Sequence, residues 1–319
     1  MVGSNGIRTS AVIFAVFLIC VGIALWAASG EDIWAEVFAL GAGQVAILLL
    51  LSLVNYTLRA RRWQLFGRKI GAGLPAATAL RHYIGGFALT MTPARIGEWV
   101  RLRWISRETG APLETLAPLV LLDRAGDLAA GGLLLALALA FGTAGIAGGL
   151  PVAMLAIVVA LIATRPALFA TMTDAAFRLI RLKPRWFVRM RRAARALGPF
   201  STASLIIPAL GLGGLGWFAE GYAFYLLLGW MGADLPLWTC VAIFLFSMMT
   251  GGATGAPGGV GGAEAAMLAL LSLQGVPLEI SIPATAIIRI TTLWFAIGLG
   301  ALVFPFAEGM AKRKHHALE

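Results

Sequence analysis

The sequence predicts an all-α polytopic membrane protein with about six transmembrane helices and two re-entrant hairpins arranged as an inverted repeat. Three observations lead to this prediction: the composition, the distribution of basic residues, and a set of polar motifs that occurs twice. Of the 319 residues, 60% are hydrophobic and only 13% are charged. Because a soluble domain has about 25% charged residues, this composition excludes a soluble enzyme, a disordered chain and a nucleic-acid-binding module.

Long apolar runs without charge recur along the chain. A helix needs about 20 predominantly apolar residues to cross the hydrocarbon core. The first run follows Arg8 and is longer than the roughly 7–15 apolar residues of a signal peptide, so we interpret it as a retained helix. We expect one membrane domain over residues 1–319, with spans at about 9–29, 36–58, 113–142, 146–164, 201–230 and 281–305.

The net charge of +10 comes from clusters of Lys and Arg that alternate with short acidic connections. Cytoplasmic loops of membrane proteins carry the excess of Lys and Arg, so we expect both termini and every basic cluster to be cytoplasmic. In the cluster at 165–198, arginines recur at helical spacing beside aromatic residues. This pattern predicts an amphipathic helix that lies on the anionic lipids of the inner leaflet.

Two segments are apolar but broken, and we interpret both as re-entrant hairpins. Residues 71–92 have basic clusters on both sides, so a single crossing would place one cluster outside. Residues 235–273 contain seven glycines within the twelve positions 251–262, which disfavours a continuous helix. Broken backbone at membrane depth is tolerated where it is buried in protein or lines a wet cavity.

An internal repeat relates the two hairpins. The motif Pro-x-x-[Ile/Val]-Gly occurs at 93–97 and at 257–261, followed each time by a glutamate, Glu98 or Glu264, and later by an arginine, Arg124 or Arg289. A tyrosine precedes each copy at a similar distance, at positions 56 and 222. We therefore predict two halves, at about 9–142 and 146–307. Three crossings in each half invert the second half, which is typical of transporters whose sites lie near the membrane midplane.

Charged side chains inside a bilayer cost about 2.5–3.5 kcal/mol each and usually have a partner or a function. Two interpretations stay open for the intramembrane charges. In the first, they form structural ion pairs that clamp the hairpins to neighbouring helices. In the second, guanidinium groups bind a lipid phosphate while carboxylates balance charge or carry a proton. The second makes a substrate site of Arg95, Arg124 and Arg289 with Glu98, Asp123, Asp127 and Glu264, and Glu220 is a further intramembrane charge.

The glycine-rich turn also has two interpretations. Its small residues could serve close helix packing, or its N–H groups could form an anion-binding nest, which would add Gly258, Gly259, Gly261 and Gly262 to the site. We expect no catalytic residue, metal site or cofactor. Two alternatives remain: a lipid-modifying enzyme, which needs Asp123, Asp127 and Glu264 around one metal, and a non-transporting partner subunit, which needs a closed apolar contact between the repeats.

The sequence resembles the lysylphosphatidylglycerol synthase transmembrane-region family, a flippase-like family. The resemblance rests on Arg-Arg-Trp at 61–63, Pro93-x-x-x-Gly97-Glu98-x-x-Arg101, Asp123-Arg124-x-x-Asp127, Pro257-Gly-Gly-Val-Gly261 with Glu264, and Arg289. It adds Arg101 to the site. It implies a bacterial inner-membrane transporter of an anionic or zwitterionic glycolipid or an aminoacylated phospholipid, without aminoacyl transfer. The expected partners are this lipid and anionic inner-leaflet lipids, with no nucleic acid, and a homo-oligomer is possible.

Overall fold

A computed structural model describes residues 40–92, 96–142 and 202–316, together with isolated positions between 150 and 171. The predicted span at 9–29 lies outside the described residues. The span at 146–164 and the basic segment at 165–198 lie outside them except for those isolated positions. Within the three described ranges, every regular element is a helix.

The described chain forms ten α-helices. A 3-10 turn, Phe87–Leu89, follows the second of them, another, Pro257–Gly259, precedes the eighth, and a π-helical turn, Ile290–Trp294, joins the last two. In chain order the helices are α1 Ala42–Lys69, α2 Ala76–Gly86, α3 Ile96–Thr109, α4 Leu113–Leu116, α5 Pro118–Phe141, α6 Ala203–Trp230, α7 Leu237–Ala253, α8 Gly262–Leu273, α9 Leu278–Arg289 and α10 Phe295–His316.

Among the described residues, four helical stretches are long and apolar enough to cross a membrane: Ala42–Lys69, Leu113–Phe141, Ala203–Trp230 and Leu278–Lys314. They leave large apolar side chains exposed, including Leu50, Phe141, Ile207, Leu302 and Phe306. Apolar surface of that extent is covered by lipid or protein rather than by water. The chain is therefore an all-α polytopic membrane protein, as the sequence predicts.

Two predicted helix boundaries are wrong. The span predicted at 36–58 ends where the basic cluster at residues 59–69 begins, but α1 continues to Lys69. Arginine is a good helix former, and no proline interrupts the cluster, so Arg59 and Arg62 belong to the helix rather than to a loop. The last span also exceeds its prediction, because α9, the π turn and α10 run on to His316.

In both hairpin regions two helices pack together, α2 on α3 and α7 on α8. The predicted range 71–92 is too short for the first hairpin, because its second arm is α3, which begins at Ile96. Glycines permit the approach. A Cβ atom on Gly97 would overlap the carbonyl oxygen of Gly86, and one on Gly251 would lie 2.9 Å from that of Gly259. Every arm is shorter than the roughly 20 residues of a crossing. Their re-entrant placement in the membrane stays a prediction.

The ends of the described helices follow the same order in both halves. After α1 and α6, a glycine with positive φ is followed four residues later by the proline that N-caps the next helix. After α3 and α8, the glycine comes two residues before the capping proline. The four Gly and Pro pairs are Gly71 and Pro75, Gly110 and Pro112, Gly232 and Pro236, and Gly275 and Pro277.

The halves pack reciprocally. Helix α1 lies against α6, the arm α2 packs on α10 of the second half, and the arm α7 packs on α5 of the first half. At the centre, Asn55 Nδ2 donates a hydrogen bond to the carbonyl oxygen of Gly216 at 2.8 Å, 161 residues away in sequence. The same separation relates Gly71 to Gly232, so α1 and α6 align in that register.

This register corrects the tyrosine match that the sequence suggests. In the structure Tyr56 corresponds to Trp217, and both line the same cavity, whereas Tyr222 stacks on Phe218. The sequence match fails because Pro93 follows the capping proline Pro75 by 18 residues, whereas Pro257 follows Pro236 by 21, so distances counted back from the motif do not reach equivalent positions. In the corrected register Arg59 corresponds to Glu220.

An ionic cluster joins α3 to the end of α10. Glu108 Oε1 lies 2.8 Å from Arg81 and 3.0 Å from His82 Nε2, and its Oε2 lies 3.0 Å from Lys314 Nζ. Burial raises the pKa of Glu108, but the hydrogen bond with His82 and the nearby cations outweigh it and lower the pKa to about 2. His82 thus forms a hydrogen bond with Glu108.

Candidate functional site

A cavity of about 550 Å³ lies between the two halves, lined by α1, α2, α3 and α5 from the first half and by α6, α7, the glycine-rich turn and α9 from the second. Its wall combines aromatic and methionine side chains with an unusual number of charges for a membrane protein. The charged residues of the wall are Arg59, Glu98, Arg101, Arg124, Asp127, Glu220 and Arg289.

A cluster of four charges fixes α1 to α5. Arg62 is fully buried, and its Nη2 lies 2.6 Å from a carboxylate oxygen of Asp123 and 2.6 Å from one of Asp127. Arg59 forms an ion pair with the other oxygen of Asp127. Asp123 and Asp127 share one face of α5, as their i, i+4 spacing predicts. The four charges cancel, which makes their burial tolerable.

Two further ion pairs have the same form in the two halves. Glu98 of α3 pairs with Arg124 of α5, and Glu264 of α8 pairs with Arg289, whose Nε lies 2.6 Å from the carboxylate. The structure places both within a half, because only a short connection separates each hairpin arm from the helix that follows it. Both pairs therefore fit the first interpretation of the intramembrane charges, in which ion pairs clamp the hairpins to neighbouring helices.

Arg101 is held differently. It is 4% exposed, and its Cζ lies 4.0 Å from the centre of the Tyr83 ring, with Phe87 and Trp63 also in cation–π range. Its Nη2 donates to the carbonyl oxygen of Tyr83 at 2.9 Å. No carboxylate of the described residues contacts it. Aromatic faces stabilise a cation without neutralising it, so Arg101 presents a net positive charge to the cavity.

Glu220 resembles Arg101 in being a buried charged residue of the cavity wall without an ion pair among the described residues, but its charge is negative. It belongs to α6, lines the cavity and is 6% exposed. In the part of the chain that the structure describes, its carboxylate has no ion pair and no hydrogen bond. The remaining carboxylates of the wall, Glu98 and Asp127, both bind arginines.

The tips of the two hairpins meet beside the cavity. A Cβ atom on Gly258 would lie 2.8 Å from Met91 Sδ, and φ at Gly258 is +65°, so glycine is required there. Next to this contact the π turn lines the cavity, and Tyr56 donates its hydroxyl proton to the carbonyl oxygen of Thr292. Single π turns often mark functional sites in helices.

The predicted site residues divide into three groups. Seven of them line the cavity: Glu98, Arg101, Arg124, Asp127, Gly258, Gly259 and Arg289. Four are not part of its lining: Asp123, Gly261, Gly262 and Glu264. Arg95 lies outside the described residues.

Two of the four N–H groups that the nest interpretation of the glycine turn requires already have acceptors. The N–H of Gly261 donates to Glu264 Oε2 at 2.7 Å, and that of Gly259 donates to the carbonyl oxygen of Ala256 at 2.9 Å. Gly258 presents an acceptor, because its carbonyl oxygen receives a hydrogen bond from Arg289 Nη2 at 2.8 Å. A tight turn satisfies its own donors, which composition alone does not reveal.

Sequence reasoning missed three members of the polar core: Tyr56, Arg59 and Arg62. They were interpreted as a repeat marker and as part of a solvated basic cluster. A signal was present, since polar residues recur every three or four positions along one face of α1: Ser52, Asn55, Tyr56, Arg59, Arg62 and Trp63.

Two observations bear on the alternative functions, a lipid-modifying enzyme and a non-transporting partner subunit. The enzyme alternative needs three carboxylates around one metal, and no group of three His, Cys, Asp or Glu suited to a metal occurs among the described residues. The partner-subunit alternative needs a closed apolar contact between the halves. The structure has a cavity with charged residues in its wall in that position.

The fold and cavity define a polytopic membrane protein with a charged site enclosed between two similarly built parts of one chain. The family model described as Lysylphosphatidylglycerol synthase TM region matches residues 10–300, so the chain belongs to that family. No curated protein is similar enough to count as a match. Family membership ties the chain to membrane lipid pathways.

Proposed function

We propose that the protein is a transporter that moves a lipid with an anionic or zwitterionic head group between the leaflets of the bacterial inner membrane, without changing it chemically. A glycolipid or an aminoacylated phospholipid meets that description. The head group occupies the cavity while the acyl chains stay in the surrounding lipid. Both termini and the basic clusters lie on the cytoplasmic side in this proposal.

The observation that carries the proposal is Arg101 in the cavity wall. Its guanidinium is buried and is balanced by no carboxylate of the described residues, so an arriving phosphate displaces no existing ion pair. Arginine matches the oxygens of a phosphate with two parallel hydrogen bonds. Arg124 and Arg289, which the sequence favoured for this role, already bind carboxylates.

Symmetry of construction supports transport over simple binding. The two halves have the same order of helix ends, and their hairpin tips meet beside the cavity. Sites at the interface of such repeats can open to either side when one half rocks against the other. A cavity formed by only one half would not open to alternate sides of the membrane when the halves move against each other.

Arg101→Gln tests the proposal in liposomes that contain fluorescent phosphatidylglycerol, phosphatidylethanolamine or phosphatidylcholine, with leaflet exchange followed by chemical quenching from outside. A hydrogen bond to a charged group contributes about 1.5–3 kcal/mol, so we expect the exchange rate of the transported lipid to fall about 10- to 100-fold.

Arg103→Gln is the matched control on the same helix. Arg103 pairs with Glu308 outside the cavity, and 43% of its side chain is exposed, so its loss should leave exchange unchanged. Wild-type exchange in the Arg101 variant, or no exchange of any lipid by the wild-type protein, would contradict the proposal.

A further inference from the structure

Glu220 differs from the other carboxylates of the polar core in one respect. Asp123, Asp127, Glu98 and Glu264 each bind at least one guanidinium. Glu220 is buried like the two aspartates, but within the described residues it has neither a cation nor a hydrogen-bond donor. An ion pair holds a carboxylate in its charged form, so Glu220 is the acid of the wall that is left to exchange a proton.

The charged groups that face Glu220 come from three neighbouring helices. They are Tyr56 and Arg59 of α1, Asp127 of α5 and Arg289 of α9. Helix α7, which also packs on α6, contains no charged residue. Arg59 and Arg289 act on Glu220 from a distance, because each is bonded to another carboxylate.

The charges around the cavity add up in a way that depends on Glu220. The paired groups cancel among the described residues: Arg59 and Arg62 with Asp123 and Asp127, Arg124 with Glu98, and Arg289 with Glu264. An ionised Glu220 also balances Arg101. A lipid phosphodiester adds one negative charge, and uncompensated charge is costly at membrane depth.

We propose that Glu220 takes up a proton when a lipid phosphate binds at Arg101 and releases it when the lipid leaves. The inference rests on the proposed transport function and supplies its energy source. The proton comes from the acid form of the buffer in bulk solution, passes through water in the cavity and bonds to a carboxylate oxygen of Glu220. The phosphate enters as a monoanion, and its charge replaces that of Glu220 in the charge balance of the cavity wall.

The proposal has a thermodynamic consequence. When two binding events favour each other, each raises the affinity of the other by the same factor. Phosphate affinity therefore rises as the pH falls, and a pH difference across the membrane drives net movement of lipid toward the more alkaline side. In the register that aligns α1 with α6, Glu220 occupies the position that corresponds to Arg59 in the first half, so an acidic residue replaces a basic one there.

Dioctanoyl phosphatidylglycerol and the purified protein in non-ionic detergent provide the test. Calorimetric titration in two buffers of different ionisation enthalpy reports the protons taken up on binding. We expect about one proton per lipid where Glu220 starts ionised, and an affinity that increases up to about tenfold for each unit fall in pH. The phosphodiester itself stays a monoanion at every pH of these titrations, so its own protonation cannot produce the proton uptake or the pH dependence of the affinity.

Two variants complete the test. Glu220→Gln should bind the lipid with an affinity independent of pH and take up no proton, whereas Asp234→Asn, an exposed acid outside the cavity, should behave as the wild type. Proton uptake retained in Glu220→Gln, or wild-type binding without uptake and without pH dependence, overturns the inference and leaves the transport proposal intact. Absence of wild-type binding at every pH overturns the transport proposal and the inference with it. The wild-type measurement decides the matter even if Glu220→Gln does not fold.

Discussion

Replacing Arg62 with alanine should destabilise the protein by about 3–5 kcal/mol, because the substitution leaves buried carboxylates without their cation. Arg62 is fully buried and bonds to both Asp123 and Asp127. After its removal Arg59 still pairs with Asp127, but Asp123 keeps only the hydroxyl of Tyr83 at 3.3 Å. The loss of stability can be measured by heating the protein in detergent and monitoring how much of it remains monodisperse at each temperature.

Two comparisons make this result specific. Arg61→Ala, one position away on the exposed face, removes only a hydrogen bond to Gln64 at 3.2 Å and should be nearly neutral. The double variant Arg62→Met with Asp123→Leu should recover part of the stability, since Arg59 and Asp127 remain a balanced pair. Equal losses for Arg61→Ala and Arg62→Ala would contradict the assigned role of the cluster.

Gly97→Ala should separate the arms of the first hairpin. A Cβ atom there would overlap the backbone carbonyl of Gly86, which cannot rotate away as a side chain would. Overpacking of this kind costs about 1–3 kcal/mol or more. Arg101 follows one helical turn later on α3, so we expect leaflet exchange to fall at least about tenfold even where the protein still folds.

The matched substitution is Gly43→Ala on α1, where an added Cβ would meet nothing within 4 Å. It should change neither the unfolding temperature nor the exchange rate. Normal exchange in Gly97→Ala would show that close contact of the arms is unnecessary for the site.

The membrane class and most of the architecture follow from the sequence because both depend on local patterns. Apolar runs of span length, basic clusters and the glycine-rich break are read directly from neighbouring residues, and the family match over residues 10–300 agrees with the suggested resemblance. The four predicted spans that fall among the described residues, at 36–58, 113–142, 201–230 and 281–305, overlap α1, the stretch Leu113–Phe141, α6 and the stretch Leu278–Lys314.

The site was only partly predictable because it depends on which charges meet across distant helices. The spacing of Asp123 and Asp127 shows that they share a face, but it does not show that Arg62, in a cluster assigned to a loop, reaches both. The sequence likewise identifies Glu220 as an intramembrane charge, and the family resemblance adds Arg101 to the site. Only the packed structure shows that their neighbours among the described residues leave both without an ion pair.

The central claim is that the two hairpins enter from opposite sides of the membrane and share one cavity. Single cysteines at Gly73 and Asp234, both exposed positions before the first arm of a hairpin, can be introduced into a background without Cys20 and Cys240. Labelling of sealed vesicles with a membrane-impermeant maleimide should reach Gly73→Cys from the cytoplasmic side and Asp234→Cys from the outer side. Labelling of both positions from the same side would contradict the inverted arrangement and the transport account built on it.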